Sequence, residues 1–164
     1  MAWANQDKTA IVGIGATDYY VRGKSWPRTI NDMAAEAIMN AHPYDYWRPG
    51  GSAQPWTPEV VALLDRATRL APDHPGAHHY RIHLYEASTT PERALASADR
   101  IGALAPAVGH LVHMPSHIFT RVGHWQASIE SNTASANAAM KEYVARAENM
   151  ADAGVAFHNA GDAP

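Results

Sequence analysis

The chain has 164 residues, 46% hydrophobic and 18% charged, with a formal net charge of −3 and a pI near 6.3. That is enough apolar surface for one compact domain, and it offers no uniform basic field to hold phosphates, which argues against nucleic acid or an anionic membrane as partner. Cysteine is absent, so disulfides, thiolate metal sites and cysteine nucleophiles are excluded, and any metal is left to nitrogen and oxygen donors.

The opening residues MAWANQDK lack the basic and apolar regions of a signal peptide, and no stretch approaches about 18 continuous apolar residues. The expectation is a soluble, cytoplasmic protein with no membrane partner. Residues 9–15 (TAIVGIG) read as a short β-strand and turn within an N-terminal arm of residues 1–26. A lone strand needs a partner strand to satisfy its edges. Gly13 and Gly15 fall short of a dinucleotide-binding fingerprint.

From Pro27 the pattern becomes helical and predicts a helical domain over residues 27–150. Thr29 to Ala41 places Ile30, Met33, Ala37, Ile38 and Met39 on one side, with Asn31, Asp32 and Glu36 largely opposite. Four prolines and two adjacent glycines then interrupt the pattern between His42 and Pro58. The aromatics of that segment, Tyr44, Tyr46, Trp47 and Trp56, are expected to cap an end of the core. Thr57 followed by Pro58 predicts a capped helix with an apolar stripe of Val60, Val61, Leu63, Leu64, Ala67 and Leu70. Pro75 opens a helix to about Ser88, and Thr90, Pro91 and Glu92 repeat the capping logic for one reaching Leu104. Further helices are predicted over Gly109–Val122 and from His124 to about Met150, with Gly123 between them. Residues 151–164 are rich in small residues and read as a fraying tail.

Two histidine pairs stand out, His79/His83 and His113/His117. Each is spaced i, i+4, which places both rings on one helix face, and the pairs are offset by a common shift. Pro72 and Pro106, Tyr85 and Phe119, and Ala94 and Ser128 obey that shift too. Several matches at one offset indicate an internal repeat of helix–turn–helix length.

With Pro75 as first residue of a unit, Tyr85, Ala94, Ala98 and Pro106 fall on the large, small, small and proline positions of a tetratricopeptide repeat, which residues 75–108 therefore resemble. Residues 109–142 resemble a more divergent unit. The wording PYDYW, DHPGAHHYRIHLYEAS, PERALASADR and GHLVHMPSHIFTRVG is similar to a bacterial subgroup of tetratricopeptide-repeat proteins of unclear role, over about residues 42–140. KTAIVGIGATDYYVRG with INDMAAEAIMNA resembles the N-terminus of thiolase-like, lipid-transfer-type enzymes, without the cysteine that their thiolase members acylate. The tetratricopeptide resemblance implies a mainly α fold of stacked antiparallel helix pairs, and the thiolase-like one a short N-terminal strand. It also implies a concave groove lined by the first helix of each unit, through Gly76, His79, His83, Glu86 and Ala87 in one and His110, His113, His117, Thr120 and Arg121 in the next.

Imidazoles reaching from neighbouring helices about 8–10 Å apart can meet between them, and an i, i+4 histidine pair can chelate one ion. His79, His83, His113 and His117 are therefore the candidate ligands, with His110 in support. Imidazole-rich sites without sulfur suit zinc, copper, nickel or iron. Glu86 is the candidate general acid or base, Arg121 a candidate to orient an anionic substrate, and Tyr80 a candidate groove residue. Ser116, between His113 and His117, lacks the glycine-flanked elbow of a serine nucleophile. His74 and His124 lie at helix starts, where capping or solvation is expected; His78 steps off the ligand face; His42 and Asp45 are more remote candidates. Two functions follow: a metal-binding protein, in the fullest form a hydrolytic or oxidative metalloenzyme, or a noncatalytic module that binds a peptide in the same groove. A short repeat array with poorly capped ends is also expected to pair as a homodimer.

Overall fold

The computed structural model describes residues 30–161, with side chains described as far as residue 149. The predicted strand at residues 9–15 lies outside the described residues. Those described form a mainly α structure: α1 (Ile30–Ala41), α2 (Thr57–Leu70), α3 (Pro75–Glu86), a 3-10 turn (Pro91–Ala94) leading into α4 (Leu95–Leu104), α5 (Gly109–His113), α6 (Pro115–Val122) and α7 (Trp125–Gly161). Among the described residues no helix is long and apolar enough to cross a membrane.

Each helix packs on its neighbour in sequence, and α3 packs in addition against α1 on one side and α6 on the other. That layer of α1, α3 and α6 is what brings α3 beside the segment carrying the second histidine pair. The core between the layers is apolar, with Val60, Leu64, Ile82, Leu84, Tyr85, Ile101, Met114 and Ile118 fully buried. Residues related by the repeat shift share their environment: Tyr85 and Phe119 are both buried, as are Ala94 and Ser128.

The helix boundaries follow local chemistry, with four departures from the expected pattern. Thr57 does not cap α2. Its hydroxyl donates to the carbonyl of Tyr46, tying the helix start to the preceding loop. In α1 the buried residues are Asp32, Ala35 and Met39, while Ile30 and Met33 are 85% and 48% exposed. The reason is a polar junction: Asp32 Oδ2 lies 3.7 Å from Nε2 of the buried His74, whose Nδ1 accepts the Ala77 N–H at 3.1 Å and caps α3. The expected helix over 109–122 is divided at Met114, because Pro115 has no N–H to give the preceding turn and opens α6 instead. Finally, α7 continues beyond Met150 to Gly161. Gly123 ends α6 as expected, at φ 81°, with the His124 N–H returning to the Phe119 carbonyl at 2.8 Å.

The proline- and glycine-rich loop between α1 and α2 fastens the end of α3. Gly50 and Gly51 adopt left-handed φ values of 94° and 88°, and a Cβ on Gly51 would collide with the Thr89 side chain. The Trp47 indole donates to the Leu84 carbonyl at 2.6 Å, a last-turn carbonyl that the helix itself leaves without a partner. Ser88 caps its neighbour in the same way, its N–H and hydroxyl reaching the Tyr85 carbonyl at 3.0 and 2.8 Å. Trp47→Phe keeps most of the ring and removes this donor, so it is expected to lower stability by about 1–2 kcal/mol in urea unfolding.

Candidate metal centre

Helix α3 supplies His79, His83 and Glu86 from successive turns of one face, α5 supplies His110 and His113, and α6 supplies His117. The structure brings all six together. The Nε2 atom of His79 lies 3.0 Å from Nε2 of His110 and 3.1 Å from Nε2 of His83. Each of these three residues offers a nitrogen, and all three nitrogens lie within 4.8 Å of one another. A tetrahedral zinc with Zn–N bonds of about 2.0–2.1 Å separates adjacent donors by about 3.3 Å, so small ring movements bring this set onto one ion.

The second feature of the centre is the way its imidazoles are turned. Glu86 spans the gap between α3 and α6, with Oε1 at 2.9 Å from His83 Nδ1 and Oε2 at 2.6 Å from His117 Nδ1. Burial raises the cost of its charge, but hydrogen bonds from His117 and then His83 outweigh that and hold the carboxyl at about 2. An ionised carboxylate only accepts, so both Nδ1 atoms carry the hydrogen, and in the neutral rings both Nε2 atoms present lone pairs. His113 is fixed equivalently. Its Nδ1 lies 2.6 Å from Asn132 Oδ1, while the Asn132 amide nitrogen donates to the Ser128 carbonyl at 3.0 Å. That second bond settles which end of the amide faces the ring, and hence that His113 Nδ1 donates.

Among the described residues no oxygen acceptor meets the His79 ring, whose Nε2 faces the Nε2 atoms of His83 and His110. With neutral rings the three converging nitrogens have only one another to hydrogen-bond with, whereas a cation takes a lone pair from each. Protonation is a poor alternative: burial, and then the neighbouring His83 and His110, hold His79 down at about 3. His110 is also lowered, by burial and then by His83, His113 and His117.

A cleft of about 400 Å3 opens beside the cluster, lined by Tyr44, Glu86, Ala87, His113, Ser116, His117, Thr120 and Arg121. The Arg121 guanidinium donates to the Ser88 carbonyl at 2.8 Å and forms part of this wall. Tyr80 is not among the lining residues; its side chain packs against the hydrophobic core. Ser116 Oγ lies 3.3 Å from His113 Nδ1, on the nitrogen that already faces Asn132. His42 stacks on Trp56 at 3.8 Å and the Asp45 carboxylate receives the Gln54 amide, so these two serve the loop and not the cluster. His78 is saturated, with Nε2 donating to the Pro72 carbonyl at 2.7 Å and Nδ1 accepting from Ser97 at 3.0 Å. Two further residues touch the cluster without having been site candidates in the sequence: Asn132, and the loop aromatic Tyr44, whose ring meets His83 edge-on at 6.2 Å.

No model of a known protein family matches this chain, and neither a curated protein nor a solved structure is recognisably similar to it.

The titration of His79 gives the metal-free protein a defined pH dependence. The unfolded chain takes a proton at this histidine near pH ~6.5, whereas the folded chain resists it down to about 3. Between those values the unfolded state binds more protons, so stability falls as pH falls. In chelator-treated protein, His79→Gln is expected to flatten the stability–pH slope between pH 6.5 and 4; an unchanged slope in urea unfolding would show that His79 is not held neutral by the fold.

Proposed function

We propose that this chain is a histidine-ligated metal-binding protein of helical-repeat architecture, with one transition-metal ion on Nε2 of His79, His83 and His110. The observation that carries the reading is the convergence of three ring nitrogens at 3.0–3.1 Å contacts, with His83 held in the tautomer that a metal requires. A carboxylate on the far nitrogen of a ligating histidine is the usual means of orienting such a ring and raising its basicity. Glu86 thereby acts as a positioning residue, since both its oxygens are engaged by imidazole N–H groups. This replaces the general acid or base role expected from its place among the histidines.

Three nitrogen donors suit zinc, copper or iron. They leave a coordination position open, the arrangement of catalytic zinc sites as opposed to structural ones. Zinc there would polarise water for hydrolysis, and copper or iron would supply redox chemistry. The adjoining cleft, lined by Glu86, His113, His117 and Arg121 among others, gives a small molecule or peptide a place to bind beside the ion. The tetratricopeptide reading is supported by the paired burial of Tyr85 with Phe119 and Ala94 with Ser128, and it places the centre on the face such arrays use for ligands.

The test is metal titration of untagged protein stripped with chelator. Wild type is expected to bind Zn2+ or Cu2+ tightly, and the His79→Ala/His83→Ala double variant to lose more than about 100-fold in affinity with two of three donors gone. A wild-type protein that takes up no transition metal sinks the reading, and a peptide ligand whose affinity is indifferent to chelator would point to the noncatalytic module.

A further inference from the structure

The second histidine pair is not used by the centre just described, and its geometry repeats that of the first. The His113 and His117 rings have centroids 4.8 Å apart and an interplanar angle of 76°; for His79 and His83 the values are 4.7 Å and 75°. Rings placed alike one turn apart can turn their Nε2 atoms towards one ion, as the first pair does. Its rings are also better fixed than those of the first. The Nδ1 atoms of both are committed as donors, to Asn132 Oδ1 and to Glu86 Oε2, each at 2.6 Å, which in the neutral rings leaves two Nε2 lone pairs that take up no hydrogen bond among the described residues.

From these observations we infer that the protein binds a second transition-metal ion at His113 and His117, beside the first. This goes beyond the single-ion reading of the site, and Glu86 is the residue that joins the two. One of its oxygens holds His83, a ligand of the first ion, and the other holds His117, a ligand of the second. The His83 and His117 rings stand 5.7 Å apart, so the two ions are close neighbours, and a single carboxylate offsets charge for both.

The second ion is the weaker of the two. It has two protein donors where the first has three, and it enters against the charge of an ion already bound. Its remaining positions face the cleft that His113 and His117 line with Ser116, Thr120 and Arg121. Arg121 is the permanent cation of that wall. The exogenous ligand that completes the coordination is therefore a small oxyanion, a carboxylate in the first instance, with one end on the ion and its charge shared with the guanidinium.

The experiment is a metal count at saturation on chelator-stripped, untagged protein, by Zn2+ calorimetry and by elemental analysis after gel filtration. Wild type is expected to bind two ions in two resolved steps. His113→Ala/His117→Ala should lose the weaker step and keep the tighter one within about threefold, as expected for a variant that leaves the other donors intact. Asn132→Ala leaves every imidazole in place, and removing its hold on His113 should weaken only the second step, by about 10–100-fold. Circular dichroism confirms the fold of each variant. A wild type that binds one ion, lost in His79→Ala/His83→Ala, overturns this inference and leaves the first centre standing. A His113→Ala/His117→Ala protein that still binds two ions also overturns it, and a wild type that binds none removes both centres.

Discussion

The bridge made by Glu86 ties the packing of α3 against α6 to the orientation of the histidine rings between them. Its carboxylate sits in the last turn of α3 and is held by imidazoles from α3 and α6, so the end of one helix is registered against the side of the next. Placing an anion there is expensive, and it is tolerated because two N–H donors compensate the lost water. The backbone around it is secured independently. Trp47 takes the Leu84 carbonyl, Ser88 takes that of Tyr85, and Arg121 takes that of Ser88. Carbonyls that the helix end leaves without partners are thus satisfied from the loop before α2, from the next turn, and from α6. The position of one carboxylate is in this way determined by three separate parts of the chain.

The contrast among the histidines shows what separates a ring used up by the fold from one with a lone pair to spare. His74 and His78 are buried and lie within a few residues of His79. His74 accepts a cap bond and faces Asp32, and His78 spends both nitrogens on Pro72 and Ser97. Neither has a lone pair left to offer. His83, His113 and His117 each have one nitrogen satisfied by an oxygen acceptor and the other turned towards the cluster or its cleft. Residue type and burial alone do not distinguish these groups; the count of lone pairs left facing the cluster does.

That count also explains how far the site was legible in the sequence. The i, i+4 pairs and their common offset are local features, and helix geometry converts them directly into rings on one face. Proline positions similarly marked the start of α3, and the proline inside the 109–122 pattern accounts for the break that periodicity alone missed. The burial of Asp32 in place of Ile30 and Met33 depended on His74, a residue far along the chain, so a helix-by-helix reading of apolar spacing assigned the wrong face to α1. Asn132 could not be found from spacing, since it meets His113 across 19 residues and another helix. Tyr44 was visible as one aromatic among four in a loop, and only the fold shows that its ring stands against His83.

The chain has no cysteine, yet the contact between His79 and His110 spans 31 positions and joins α3 to α5. An ion held by both residues would close that stretch as a covalent crosslink does, removing unfolded conformations worth roughly 3–4 kcal/mol for a loop of this size. Such an ion would then be a staple: the helices could be locked together or released by its supply, without any oxidising environment.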